Sequence, residues 1–341
     1  MIKVLNERMA LEARTAQAPI VKSLPVRVFI ATTDRCNISC PMCPTGKGKR
    51  GEMPFGKFKV LAEQLFPSAK EYHATVDGEP LATSYFLDIV PLLERHNTTM
   101  NLTTNGLLLD VQAATRIMGV LSSVKFSFNG AEKETFERLS RGSDFKTVLE
   151  NIERFMSIRE NSNNSPKVTL QSTLSIDNIS ELPDIVRLGQ KLGVDRVKAY
   201  FMIACKRSMV KKTLWFFQDV ANRYLFEAEH VAKELGLLTR FPRGFSKQEG
   251  PAKPKTCHFA WEEAWIGVNG IAISCCHPNR LVMGDTSQTE YAVLWNNGNY
   301  QTLRKNLNTA SEPSACKTCL LVEEFNPTGR PYTKEDFIHV R

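Results

Sequence analysis

Short apolar runs recur along the chain as far as Cys205, and between them apolar positions fall at helical spacing. Residues 26–31 form the first run and predict a buried strand. Residues 72–76, 100–103, 124–128, 168–174 and 196–203 predict five more. In the intervals, 57–66 puts Phe58, Leu61 and Leu65 on one face, and 85–96, 112–120 and 182–192 also predict helices. The clearest helix is 144–159, where Phe145, Val148, Leu149, Ile152, Phe155 and Met156 follow i, i+3, i+4, i+7 spacing. Residues 161–166 are a polar loop, and Gly46, Gly48 and Gly51 predict a pliant connection after the first run.

Strands alternating with helices imply an α/β fold with a parallel sheet and right-handed crossovers. The polar and thiol groups sit just after predicted strand ends: Cys36, Glu79, Asn105, Asn129, Arg141 and Cys205. Barrel-like β/α folds gather active sites on that face because the βα loops converge there. The expected organisation is a lead segment (1–24), a barrel-like domain (25–215), a helical connection (216–256), a cysteine-bearing unit (257–325) and a tail (326–341). The lead segment predicts a helix with Val4, Met9 and Leu11 as apolar anchors. Its charges (Lys3, Glu7, Arg8, Glu12, Arg14, Lys22) exclude a signal-peptide core and a membrane span.

Composition changes this picture little. With 341 residues, 42% hydrophobic and 23% charged, the chain has the make-up of a soluble globular protein. The net charge of +8 favours an acidic substrate or partner. Its basic residues are scattered apart from Lys47, Lys49, Arg50 and Lys206, Arg207, Lys211, Lys212. No basic stripe interleaves with aromatics, so nucleic-acid binding is not expected. Nine cysteines, an odd number with clustered spacing and no secretion signal, predict thiolates in a reducing, cytoplasmic setting.

The first cysteines change it more. Cys36, Cys40 and Cys43 form a C-x3-C-x2-C array on the loop after the first strand. A structural zinc site closes with four protein ligands, and this loop holds no fourth Cys or His; the nearest histidine is His73. Three thiolates therefore suit a 4Fe–4S cluster with one iron left open. A zinc site with a distant fourth ligand, or free core thiols, is the alternative. With Met42 before the last cysteine, the array resembles the C-x3-C-x-Φ-C signature of radical S-adenosylmethionine (SAM) enzymes. That resemblance implies a partial (β/α)6 TIM-like barrel, a SAM-binding 4Fe–4S cluster held by Cys36, Cys40 and Cys43, and Met42 beside the cofactor. It also implies SAM cleavage by one electron, from a flavodoxin- or ferredoxin-type donor, and hydrogen abstraction from an unactivated C–H. Asp77-Gly78-Glu79-Pro80 resembles the family's G-G-E-P motif, which holds the SAM amino group; the first glycine is Asp77 here. By the same resemblance Asn105 and Ser127 are candidates for ribose or carboxylate contacts, and Arg141 for the SAM carboxylate. Asn129 stands where family members usually carry Asp, and its amide suits hydrogen bonding to ribose or substrate.

Five cysteines lie late. Cys257-x12-Gly270-x4-Cys275 followed by Cys316-x2-Cys319 resembles the shortened SPASM module called a twitch domain, with one auxiliary 4Fe–4S cluster. Asn269-Gly270 between apolar runs predicts a hairpin that brings Cys257 and Cys275 to one end, giving a small β-hairpin-plus-helix iron–sulfur domain. A four-Cys zinc site fits the spacing as well. Cys205 and Cys276 remain, as structural thiols or as a hydrogen-atom donor to a substrate radical. The module layout resembles aminocyclitol dehydrogenases and aminoglycoside epimerases. It implies oxidation or epimerisation of a small sugar- or cyclitol-like substrate, whose acidic group Lys206 and Arg207 would suit. The alternative is a peptide-modifying maturase. Such enzymes usually carry a leader-recognition domain, for which the lead segment is small.

Overall fold

In a computed structural model, residues 1–43, 51–245, 256–277, 279–317, 319 and 332–340 are described. Gly46, Gly48, the basic group Lys47, Lys49 and Arg50, and the first residues of the expected tail lie outside them. Among these residues ten strands form one sheet: β1 Arg27–Ile30, β2 Glu71–His73, β3 Thr99–Thr104, β4 Leu121–Ser127, β5 Lys167–Leu174, β6 Arg196–Phe201, β7 Leu238–Arg240, β8 Glu263–Ile266, β9 Ile271–Ile273 and β10 Val282–Asp285. Their spatial order is β10-β9-β8-β1-β2-β3-β4-β5-β6-β7. β1 through β7 pair in parallel, as in a partial TIM-like barrel.

The parallel run is longer than the six strands expected. β7 continues it beyond β6, after helix Gln218–Leu235 closed by Gly236 in the left-handed region. Three residues with an exposed Leu238 leave no apolar run, which is why the pattern did not show this strand. On the other edge β8 pairs with β1 in parallel, from Arg27 opposite Glu263 to Ile30 opposite Ile266. The cysteine-bearing unit is thus continuous with the barrel sheet. The Asn269-Gly270 turn is present: β9 runs antiparallel to β8, and Gly270 takes φ +83°.

Strand alternation sorts the side chains. Val28, Ile30, Tyr72, Leu102, Val124, Phe126 and Leu170 pack in the main core with the helices' Phe58, Leu61, Ile117, Val148, Ile152 and Phe155. Helix Phe145–Glu160 buries the expected face, and the Asp144 carboxylate caps it by accepting from Thr147 N at 2.7 Å. The opposite face of β1, β2 and β8 carries Phe29, stacked between His73 and Trp265 at ring distances of 4.0 and 3.6 Å.

Helix Ile2–Thr15 corrects the expected anchors. Val4 and Leu11 are exposed, whereas Asn6 and Ala10 are buried. The Asn6 amide donates to Leu24 O and Ser68 O and accepts from Leu24 N, so a polar side chain fixes the lead segment. Arg14 and Arg27 both reach Glu262, at 2.6 and 2.7 Å, and Arg27 also reaches Glu263 at 3.0 Å. Burial pushes the Glu263 carboxyl up, but His258 and Arg27 outweigh it and hold it below the usual range. Among the described residues no helix is long and apolar enough to cross a membrane.

Candidate functional site

A cavity of about 630 Å³ opens at the C-terminal ends of the parallel strands. Cys36, Cys40 and Cys43 line it together with Gly78, Glu79, Asn105, Ser127 and Arg141. Local structure explains this convergence. Gly78 sits at φ +71°, and a Cβ there would stand 2.5 Å from Arg35 O and 2.8 Å from Thr33 O. The backbone before Cys36 and the Gly78–Glu79 turn are therefore pressed together, and Glu79 N donates to Arg35 O at 2.8 Å. Replacing the first motif glycine by Asp77 leaves this turn intact, because the left-handed residue is the second.

Glu79 is buried, and its carboxylate accepts from Thr104 Oγ1 (2.8 Å), Asn105 N (2.8 Å) and Leu81 N (3.3 Å). Burial nonetheless pushes its pKa up to about 7. Three donors leave roughly one of about four acceptor positions for a further partner. Asn105 is also tied on both sides. Its Nδ2 donates to Asn37 Oδ1 at 2.8 Å and, more distantly, to Cys36 Sγ at 3.9 Å, while its Oδ1 accepts from Leu107 N. Arg141 is exposed at the mouth, and its carbonyl accepts from Ser39 N inside the cysteine loop.

The three thiols sense one another. Burial first, then the charges of Cys43 and Cys36, push Cys40 up to about 12. Thiols held neutral in this way would ionise only beside a cationic centre, which an iron–sulfur core would supply. The grouping is looser than one ion imposes: among the described residues no three His, Cys, Asp or Glu side chains gather around a single metal position.

The late cysteines build a different site. Cys257, Cys275, Cys316 and Cys319 line a cavity of about 40 Å³ with Phe259 and Arg280. Asn308 holds the backbone of Cys257 from both sides, accepting from its N–H at 2.6 Å and donating to its carbonyl at 3.0 Å. Cys275 Sγ accepts from His277 N at 3.4 Å. Burial pushes the Cys257 thiol far up, with Cys275, Cys319 and Cys316 adding to it, and lifts Cys275 to about 11. Four thiols around one small space suit a cluster ligated at all four irons, which leaves no iron open for SAM.

Other expected residues lie elsewhere. Met42 packs with Met202, Ala204 and Met209 beside the cavity. Asn129 is spent on the scaffold, its Oδ1 accepting from Thr173 N and its carbonyl from Asn178 Nδ2. Cys205 donates weakly to Ile203 O, and its neighbour Lys206 lines the cavity instead. Cys276 packs against the Phe29, Trp265 and Ile273 cluster. Sequence reasoning named Lys206 and Lys212 of the charged rim but missed Arg138 and Asp177, which bridges Lys212 at 2.6 Å and Arg138 at 3.6 Å. Three separate segments meet there, so the basic group alone was legible in the sequence and its partners were not.

A thiol site at the barrel end and a second, smaller one beside it carry the donor sets that two iron–sulfur clusters would need, on a β/α scaffold. Residues 30–189 match the Radical SAM superfamily, and residues 257–320 match an iron–sulfur cluster-binding domain, SPASM. The chain is a radical SAM enzyme with a SPASM domain. It is 22% identical to a PqqA peptide cyclase of Bradyrhizobium diazoefficiens over 87% of this chain and 79% of that protein. Its fold resembles Streptococcus suis SuiB bound to S-adenosylmethionine, with a TM-score of 0.66 and 14% identity over 94% of this chain and 76% of that one. It also resembles BtrN in complex with AdoMet and 2-DOIA, with a TM-score of 0.52 and 16% identity over 91% and 98%. A radical SAM domain binds a 4Fe–4S cluster and SAM, and a SPASM domain indicates auxiliary iron–sulfur clusters.

Proposed function

We propose that this enzyme uses SAM to abstract hydrogen from an unactivated C–H of a peptide, and so installs a crosslink or another oxidative change. The observation that carries this reading is the similarity to a PqqA peptide cyclase through both domains, over 87% of the chain. It reverses the weight given to the sugar-like substrate by the sequence.

Cys36, Cys40 and Cys43 would hold the first cluster, and Cys257, Cys275, Cys316 and Cys319 the auxiliary one. When bound and reduced by one electron, from a flavodoxin- or ferredoxin-type donor in a reducing cytoplasm, the first cluster and SAM supply the radical that removes the hydrogen. The remaining acceptor position of Glu79 suits the SAM ammonium, and the fixed Thr104 and Asn105 donors keep its carboxylate aimed. Arg141 at the mouth would pair with the SAM carboxylate as a two-pronged donor. Ser127, at the end of β4, offers a hydroxyl to the ribose. The rim cations Arg138, Lys206 and Lys212, opposed by Asp177, favour an acidic segment of substrate.

The second reading, oxidation of a small sugar- or cyclitol-like molecule, is favoured by the likeness to BtrN over 98% of that chain and by four, not more, thiols at the auxiliary site. Its epimerase form requires a donor thiol at the cavity, and neither Cys205 nor Cys276 is among the lining residues. The reconstituted enzyme should be given SAM, a reductant and deuterated substrates, with 5′-deoxyadenosine read by mass spectrometry. The peptide substrates would be those encoded by short reading frames beside its gene. Deuterium transferred from a peptide supports the first reading; transfer only from cyclitols or sugars replaces it with the second.

A further inference from the structure

Asp77 occupies the position that resembles a glycine, and its side chain is not among those lining the first cavity. Asp77 Oδ2 accepts from Arg280 Nη2 at 3.3 Å, joining two points 203 residues apart. Arg280 lies on the wall of the small cavity lined by Cys257, Cys275, Cys316 and Cys319. It is the one arginine or lysine on that wall among the described residues. Both partners are largely withdrawn from water, with side-chain exposures of 33% for Arg280 and 20% for Asp77, so solvent screens their charges only in part.

We propose that the Asp77–Arg280 pair sets the reduction potential of the auxiliary cluster, with Arg280 favouring the reduced form and Asp77 damping that effect. This rests on the auxiliary-cluster part of the reading above. Reduction by one electron adds one negative charge to the cluster. A guanidinium at the cavity wall stabilises that charge, and a carboxylate against the guanidinium cancels part of its field. A glycine at position 77 would leave Arg280 uncompensated. The residue that departs from the motif in the SAM loop thereby acts on the other site. Neither residue touches substrate; both act through charge.

The test is a dithionite redox titration of the reconstituted full-length protein, followed by electron paramagnetic resonance. The first cluster's signal is recognised by its response to added SAM. Asp77→Asn keeps size and hydrogen-bonding capacity while removing charge, and should raise the reduced-to-oxidised ratio of the auxiliary cluster about threefold at a fixed potential. Arg280→Gln should lower that ratio by a similar factor, and Asp77→Glu should leave it near wild type. A merely mechanical tie predicts no shift, or shifts of the same sign in both neutral variants; either outcome overturns the proposal. Iron content separates this from failure of the underlying reading. Wild-type protein with about four irons per chain, unchanged by Cys316→Ala, removes the auxiliary cluster and the proposal together. Two clusters with unmoved potentials remove only the proposal.

Discussion

The two thiol sites share an element type and differ in room. Cys36, Cys40 and Cys43 face about 630 Å³ at the strand ends, with a carboxylate, amides and a guanidinium around them. Cys257, Cys275, Cys316 and Cys319 face about 40 Å³. The difference arises from what supplies each wall. The first site sits where the βα loops meet over the barrel end, so its volume is a property of the fold. The second is pinched between a hairpin, the Asn308 clamp on Cys257 and the 314–317 helix, so packing closes it. An open site can exchange ligands, whereas a closed one can only store or pass charge.

The largest effects should break this contrast outright. Cys40→Ala is expected to abolish 5′-deoxyadenosine formation and reduce iron from about eight to about four per chain. Cys316→Ala should remove as much iron yet retain SAM cleavage while losing substrate turnover. If Cys316→Ala also stopped cleavage, the division between a chemical site and an electron site would be lost. Iron analysis and chromatography of 5′-deoxyadenosine read both.

A smaller effect is expected at Gly78. Gly78→Ala forces a Cβ into a carbonyl at 2.5 Å in the left-handed region, and should destabilise the protein by about 2–4 kcal/mol. Thermal unfolding measures it, and a change under about 0.5 kcal/mol would show that the turn relaxes freely.

Glu79 sharpens the open side further. Its folded pKa of about 7 lies above the unfolded value of 4.5. The folded protein therefore keeps this proton where the unfolded chain has lost it. The associated stability is full below about 4.5 and declines by about 3 kcal/mol as pH rises to about 7, then levels off. Glu79→Gln should abolish that decline. A SAM ammonium needs the ionised carboxylate, so SAM affinity should fall about tenfold per pH unit below about 7, and the glutamine variant should bind weakly at every pH. Calorimetric titration across pH 5.5–8.5 checks the sign; affinity rising at low pH would exclude Glu79 as the ammonium partner. The smallest effect is expected for Cys205→Ala, whose thiol is off the cavity: turnover should change less than about twofold, with stability within about 0.5 kcal/mol.

Much of this was legible from local pattern. Helix Phe145–Glu160 announced itself through its apolar spacing, and the cysteine arrays through spacing alone. What stayed hidden depends on contacts between distant segments. The β1–β8 pairing leaves no trace in either strand, because any buried edge accepts any parallel partner that fits. Asn6 is an anchor that apolar spacing passes over, since its partners at Leu24 and Ser68 are backbone groups that no side-chain pattern reports. The rim ion cluster is likewise assembled by topology from Arg138, Asp177 and Lys212.

That β1–β8 pairing has a temporal consequence. A strand near the start of the chain waits for residues 263–266 before its second edge is covered, and Arg27 waits for Glu262 and Glu263. During synthesis from the N-terminus, the barrel can assemble from β1 through β7 while that edge stays uncovered. Such long-range pairing is slow to form. Until residues 263–266 arrive, the β1 edge therefore keeps its backbone donors and acceptors unpaired.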